Sequence, residues 1–194
     1  EQAHFERVAA AVRAAMQRQM AEDARLQALA KQLKVSVTEE GLLIQILDGS
    51  GDDLLFDRSS ADLKPRLTEL LATIAPILGR LDNKIQIHGH TDAKPFPTGS
   101  NRSNWALSFE RADSARLVLE KSGLKKGQVG GVFAHGSSAL YNAKDPYAPE
   151  NRRLAILAVR RGMETYAAQG VSATPKPAPT GPGTECSGVF CFWS

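Results

Sequence analysis

The sequence predicts an α/β (α+β) two-layer sandwich, a mixed sheet with helices on one face, preceded by a long N-terminal helix. Three observations predict it. The first stretch, Ala3 to about Lys34, lacks Gly and Pro and is built from Ala, Gln, Arg and Leu, strong helix formers. After it, segments of period two alternate with segments of period 3.6 in the order β(β)–α–β–α–β–β. Strands that alternate with helices pack as a sheet with helices laid on it. Finally, 194 residues with 42% hydrophobic and 23% charged content are enough for one ordinary core.

The elements follow in order. In the first helix Phe5, Val12, Leu26 and Leu33 fall on one heptad position and Val8, Ala15 and Leu29 on another, with Gln19 and Glu22 interrupting the pattern. That is an imperfect coiled-coil seam. A helix of this length would reach roughly 45 Å. The stripe serves either a dimer seam or packing on the chain's own domain. Val35–Val37, the turn Glu39-Glu40-Gly41 and Leu42–Leu47 read as a hairpin. Asp48 to Asp53 is an acidic, glycine-rich loop without the EF-hand spacing, so a plain loop is expected rather than a calcium site. Leu63–Leu78 is helical, with Pro65 in its first turn and Pro76 in its last turns. Lys84–His88 alternates as a strand. Asn104–Ser122 is a helix, capped by Ser103 or Asn104 and stopped by Gly123. Val129–Phe133 and Arg153–Val159 are the last strands. Val171–Gly183 is Pro-rich and unpatterned, a disordered tail.

Composition narrows the function. Net charge is +3 and aromatic content 6%, so neither nucleic acid nor an anionic membrane surface is expected as a partner. No run of eighteen apolar residues is present, and the start shows no charged-then-apolar order, so neither a membrane span nor a signal peptide is expected within it. The two cysteines, Cys186 and Cys191, lie near the C-terminus. They either close a small loop or belong to an appended segment. A disulfide framework and a thiolate metal cage are excluded.

Three constellations carry chemistry. His88-Gly89-His90-Thr91-Asp92 ends a strand, and residues i, i+2 and i+4 of a strand share a face. His88, His90 and Asp92 could thus form a zinc site of a metal-dependent hydrolase, similar to the His-x-His-x-Asp-His run of metallo-β-lactamase-like enzymes. Ala93 stands where that pattern has its third histidine. The plainer reading is a strand end turning at Gly89. Asn104, Leu107, Ser108 and Arg111 share one face of a helix at its start. Trp105 and Phe109 lie on another face and read as core. Asn151-Arg152-Arg153 brings two guanidinium groups to the start of the final strand.

Gly-His-Thr-Asp, then Asn-x-x-Leu-Ser-x-x-Arg-Ala, then Asn-Arg-Arg, in this order, resemble the OmpA-like peptidoglycan-binding domain. Phe56-Asp57 and Ser60-Ala61-Asp62-Leu63-Lys64-Pro65 are similar to that family's opening motif, and the resemblance covers about residues 42 to 160. Asp92-Ala93-Lys94-Pro95-Phe96, Ser103-Asn104-Trp105 and Glu40-Gly41-Leu42-Leu43-Ile44-Gln45-Ile46 look like the MotB family of flagellar motor stator proteins. The resemblance implies a non-catalytic anchor without cofactor or metal, which holds the stator to the cell wall through the peptide stem of peptidoglycan. It implies that Asp92 takes the ammonium and Arg111 the carboxylate of the free diaminopimelate end. Thr91, Asn104, Leu107, Ser108, Asp62 and Arg152 complete the expected site. Planar guanidinium suits the carboxylate through two parallel bonds. It further implies a homodimer, a membrane partner MotA, and a periplasmic place on a single-pass inner-membrane protein whose membrane helix lies outside this chain. Another OmpA-like wall anchor, of the envelope or a secretion system, is the alternative. The division expected is a linker helix over 1–34, the wall-binding domain over 35–162 and the tail over 163–194.

Overall fold

The computed structural model describes residues 1–22, 29, 31–51, 54–57 and 60–163. Helix α1 spans Gln2–Glu22 and is followed by β1 (Leu33–Val37) and β2 (Gly41–Leu47). Then come α2 (Pro65–Leu78), β3 (Ile85–His90), α3 (Asn104–Ser122), β4 (Val129–Ala134), a 3-10 turn (Pro149–Asn151) and β5 (Arg153–Val159). The sheet order is β1-β2-β5-β3-β4. β2 pairs antiparallel with β1 and β5, β5 antiparallel with β3, and β3 parallel with β4. The last strand therefore lies at the centre, which is why all seven of its residues are buried and Leu154–Val159 reads as a continuous apolar run.

The predicted sandwich is present, with local chemistry as its cause. β1 and β2 turn at Gly41, whose φ of 146° disfavours an L side chain; a Cβ there would also lie 2.0 Å from the Ala158 carbonyl oxygen. Pro65 opens α2, where its missing N–H costs nothing. Ser103 caps α3 by accepting from Ala106 N, and Gly123 ends it at φ 140°. The core lies between one sheet face and the helices. Ile44, Ile46, Ile85, Ile87, Leu154 and Ile156 meet Leu67, Leu70 and Leu71 of α2 and Ala112, Ala115 and Leu119 of α3. Gly89 marks where α3 crosses β3: a Cβ there would be 1.9 Å from the Ser108 carbonyl oxygen.

The N-terminal helix differs from expectation. Its described span is Gln2–Glu22, residues 29, 31 and 32 are also helical, and the expected helical residues Leu33 and Lys34 instead belong to a strand, with Leu33 paired with Ile46. Phe5, Val8, Val12 and Met16 are buried in the domain's own core, against β1, β2 and α2. The stripe is the core face of an amphipathic helix, not a free seam. Gln19, read as an interruption, is half-buried and donates to Thr73 Oγ1. Further bonds fix α1: Arg13 Nη2 donates to the Val35 carbonyl at 2.8 Å, and Arg160 Nη2 to Gln2 Oε1 at 2.7 Å. Leu26, the Glu22 side chain, Asp52 and Asp53, the Pro-rich segment 171–183, Cys186 and Cys191 lie outside the described residues. Among the described residues no helix is long and apolar enough to cross a membrane.

Candidate functional site

The topology brings distant charges to one sheet end. β5 runs between β2 and β3 in opposite direction to both, so the residue that precedes it meets the C-terminal ends of its neighbours. That residue is Arg152. Its Nε donates to Asp48 Oδ2 at 2.7 Å and its Nη1 to Asp92 Oδ2 at 2.9 Å. Burial works against the Arg152 charge, but the bonds to the two carboxylates outweigh it and hold its pKa above the ordinary value. Beside this cluster opens a cavity of about 440 Å³, within the size range of ligand pockets.

The start of α3 forms another wall. Asn104 Nδ2 donates to the carbonyls of Asp92 (3.3 Å) and Lys94 (3.1 Å), which ties the loop after β3 to the helix. Leu107 and Arg111 line the cavity one and two turns on. Arg111 is buried, with its guanidinium carbon 4.4 Å from the centre of the Phe56 ring, a cation–π contact. Its Nε donates to the Ser60 carbonyl at 2.9 Å and Nη2 to the Asp57 carbonyl at 3.4 Å. Burial pushes its pKa down to about 10, with Asp48 and Asp92 opposing the fall and Arg152 adding to it; it is still a cation at neutral pH. Among the described residues, Arg111 Nη1 and Thr91 Oγ1 are buried without a hydrogen-bond partner. Both residues line the cavity.

Of the eight residues expected from the sequence, Thr91, Asp92, Asn104, Leu107, Arg111 and Arg152 line this one cavity. Two do not. Ser108 is fully buried; it donates to the Trp105 carbonyl and accepts from Gly136 N, each at 2.9 Å, and so ties α3 to the loop after β4. Asp62 is exposed and bonded to Ser60 Oγ at 2.7 Å. Trp105 and Phe109, read as core, are 56% and 48% exposed. The reading of 48–53 as a plain loop missed Asp48, which is 104 residues from its partner Arg152. A charged residue immediately after a strand was the only local signal.

The zinc reading is overturned. β3 ends at His90, so its alternation does not carry on to Asp92. His88 and His90 stack with His135 at ring-centre distances of 5.2 and 4.4 Å, while Asp92 is held by Arg152. His88 Nδ1 lies 2.9 Å from His135 Nε2. Burial, together with the positive charges of His135 and Arg153, pushes His88 down to about 3; burial and Arg153 push His90 down to about 2. Among the described residues no group of three or more His, Cys, Asp or Glu is arranged to hold a metal.

The chain thus folds as a five-stranded mixed sheet with helices on one face and a charged cavity at one sheet end. The sequence profile described as "OmpA family" matches residues 55–153, and the chain belongs to that family. Motility protein B of Escherichia coli K12 is 36% identical over 143 residues, 73% of this chain and 46% of the relative. Peptidoglycan-associated lipoprotein of Buchnera aphidicola is 33% identical over 111 residues, 55% of this chain and 61% of the relative. The chain spans about half the length of the motility proteins it matches. Among solved structures, a periplasmic domain of Helicobacter pylori MotB superposes with a TM-score of 0.57 at 18% identity, covering 73% of this chain and 89% of that one. The cell wall anchor of the T6SS from Pseudomonas aeruginosa superposes with a TM-score of 0.54 at 24% identity, covering 74% and 96%. These likenesses show the fold.

Proposed function

We propose that this chain is a non-catalytic peptidoglycan-binding anchor of a flagellar motor stator. It holds the peptide stem through the free, zwitterionic end of diaminopimelate. The observation that carries the reading is the pair of unpartnered buried groups, Arg111 Nη1 and Thr91 Oγ1, lining the same cavity as Asp92. A ligand with a carboxylate beside an ammonium meets all three: the carboxylate on Arg111 and Thr91, the ammonium on Asp92. Asn104, Leu107 and Arg152 hold or line the cavity; Ser108 supports the helix from behind. In this reading the chain is the periplasmic part of an inner-membrane protein that acts as a homodimer with a MotA-type partner. Because Phe5, Val8 and Val12 are taken up by the domain's own core, the dimer contact is not a seam along α1. The likeness to a secretion-system wall anchor fits the same ligand chemistry, while the identity to motility protein B favours the stator.

Sedimentation with insoluble peptidoglycan tests it. Asp92→Asn keeps size and shape but removes the anion, and Arg111→Lys keeps the positive charge but removes the planar fork. Each is expected to weaken binding by about 2–5 kcal/mol, the cost of truncating one partner of a shielded charge pair. Wild-type sedimentation by both folded variants would overturn the reading.

A further inference from the structure

The two carboxylates on Arg152 are not equivalent. Asp48 is saturated: besides Arg152 Nε it accepts Leu55 N at 2.6 Å and Gly49 N at 3.0 Å, and its side chain is 1% exposed. Asp92 accepts Arg152 Nη1 on one oxygen and the Lys94 N–H, at 3.2 Å, on the other, and its side chain is 9% exposed. Arg152 is itself shared out, since its Nη2 donates to the Gly49 carbonyl at 3.2 Å. A guanidinium left with a single carboxylate closes on it as a two-bond fork and covers both oxygens. Here Asp48 prevents this by occupying Nε.

We propose that Asp48 is a positioning residue for ligand recognition: by engaging Arg152 it keeps Asp92 from being closed off by that arginine, and so leaves an Asp92 oxygen able to accept a primary ammonium. The inference rests on the reading that Asp92 takes the ammonium of the wall ligand. Charge argues the same way. Asp48, Arg152 and Asp92 together carry one net negative charge, which complements one ammonium. Without the Asp48 charge the remaining pair is neutral, and an incoming cation meets no net anion.

The probes are two soluble muropeptides: one with a free diaminopimelate amine and carboxylate, the other identical but with that amine acetylated. Calorimetry on the whole chain gives the ratio of their affinities. Wild type is expected to favour the free amine by on the order of tenfold or more, as for a charge-assisted bond. Asp48→Asn keeps an acceptor for Leu55 N and Gly49 N, and is expected to bring the ratio towards one with the acetylated ligand little changed. The double variant Asp48→Asn/Arg152→Gln removes the arginine that the single change sets loose, and is expected to restore the preference. A merely structural Asp48 gives the opposite order, with the double variant worse than the single. A wild-type ratio in Asp48→Asn, or no recovery in the double variant, overturns the inference while leaving the wall reading standing. A wild type that binds neither probe, or binds both equally, overturns the reading of Asp92 and this inference with it. Should Asp48→Asn not fold, the double variant decides: a preference near that of wild type supports the proposal, and a ratio near one overturns it.

Discussion

Mild acid should destabilise this domain more steeply than its surface charges account for. His88 and His90 project from β3 on the side away from Ile85 and Ile87 and are 0% and 1% exposed. They face His135, Phe133 and the guanidinium of Arg153, which itself lies over Tyr141. Both are therefore neutral in the folded state, at about 3 and about 2, against an ordinary 6.5. The unfolded chain takes up these protons first. Stability is thus full above about pH 6.5 and falls as the pH drops towards the folded values, by about 1.4 kcal/mol per unit for each histidine. At about pH 5 the two together cost about 4 kcal/mol, a large part of the 5–15 kcal/mol typical of a domain. His135, also lowered by burial and Arg153, acts in the same direction. Urea unfolding followed by circular dichroism between about pH 7.5 and 5 stays above the usual carboxylate range and reads this effect. His88→Phe keeps a ring between Phe133 and His135 and removes one titrating group, so the slope should fall by about 1.4 kcal/mol per pH unit, with His90 and His135 left to titrate. Equal unfolding free energies at both ends of the range, or an unchanged slope in His88→Phe, would refute the argument.

Two further substitutions test the packing. Gly89→Ala places a Cβ 1.9 Å from the Ser108 carbonyl oxygen and 3.3 Å from Ala112 Cβ, so α3 must lift from β3. The expected loss is about 1–3 kcal/mol or more in urea unfolding, with weakened peptidoglycan sedimentation because Arg111 moves relative to Asp92. Phe5→Ala empties a fully buried position beneath Arg160 and should cost about 3–5 kcal/mol. An unfolding midpoint equal to wild type would mean that α1 is an independent stalk.

Much of this fold was legible because its signals are local. The cap at Ser103, the stop at Gly123, Pro65 at a helix start and the alternation in β2 each depend on a few adjacent residues. What was not legible depends on partners far along the chain. The stripe Phe5–Val8–Val12 has the same spacing whether it meets a second helix or the chain's own sheet, so periodicity could not choose between them. The exposure of Trp105 and Phe109 has the same cause: apolar character proposes burial, and only the neighbouring elements decide it. In the site, Arg111 and Asp92 were found through a resemblance. Asp48 was missed because its role is created by strand order. With β5 inserted between β2 and β3, residues 48, 92 and 152 become neighbours although no local pattern joins them.

That strand order also explains how a charged cavity exists in a stable domain. Isolated buried charges are costly, and a cation placed between two anions lowers that cost without a ligand. The cluster at Asp48, Arg152 and Asp92 is paired from within. Arg111 is steadied by the Ser60 and Asp57 carbonyls and the Phe56 ring. What pairing leaves over is Arg111 Nη1 and Thr91 Oγ1. A buried group left unsatisfied costs about 1–3 kcal/mol, so these two atoms weaken the empty domain. A ligand that satisfies them returns that free energy as affinity. One unsatisfied atom is on the loop after β3 and the other on α3, so a ligand that bonds both joins the two elements that the close contact at Gly89 already holds in register. In the proposed reading, ligand binding and domain stability are thus linked through the same pair of elements.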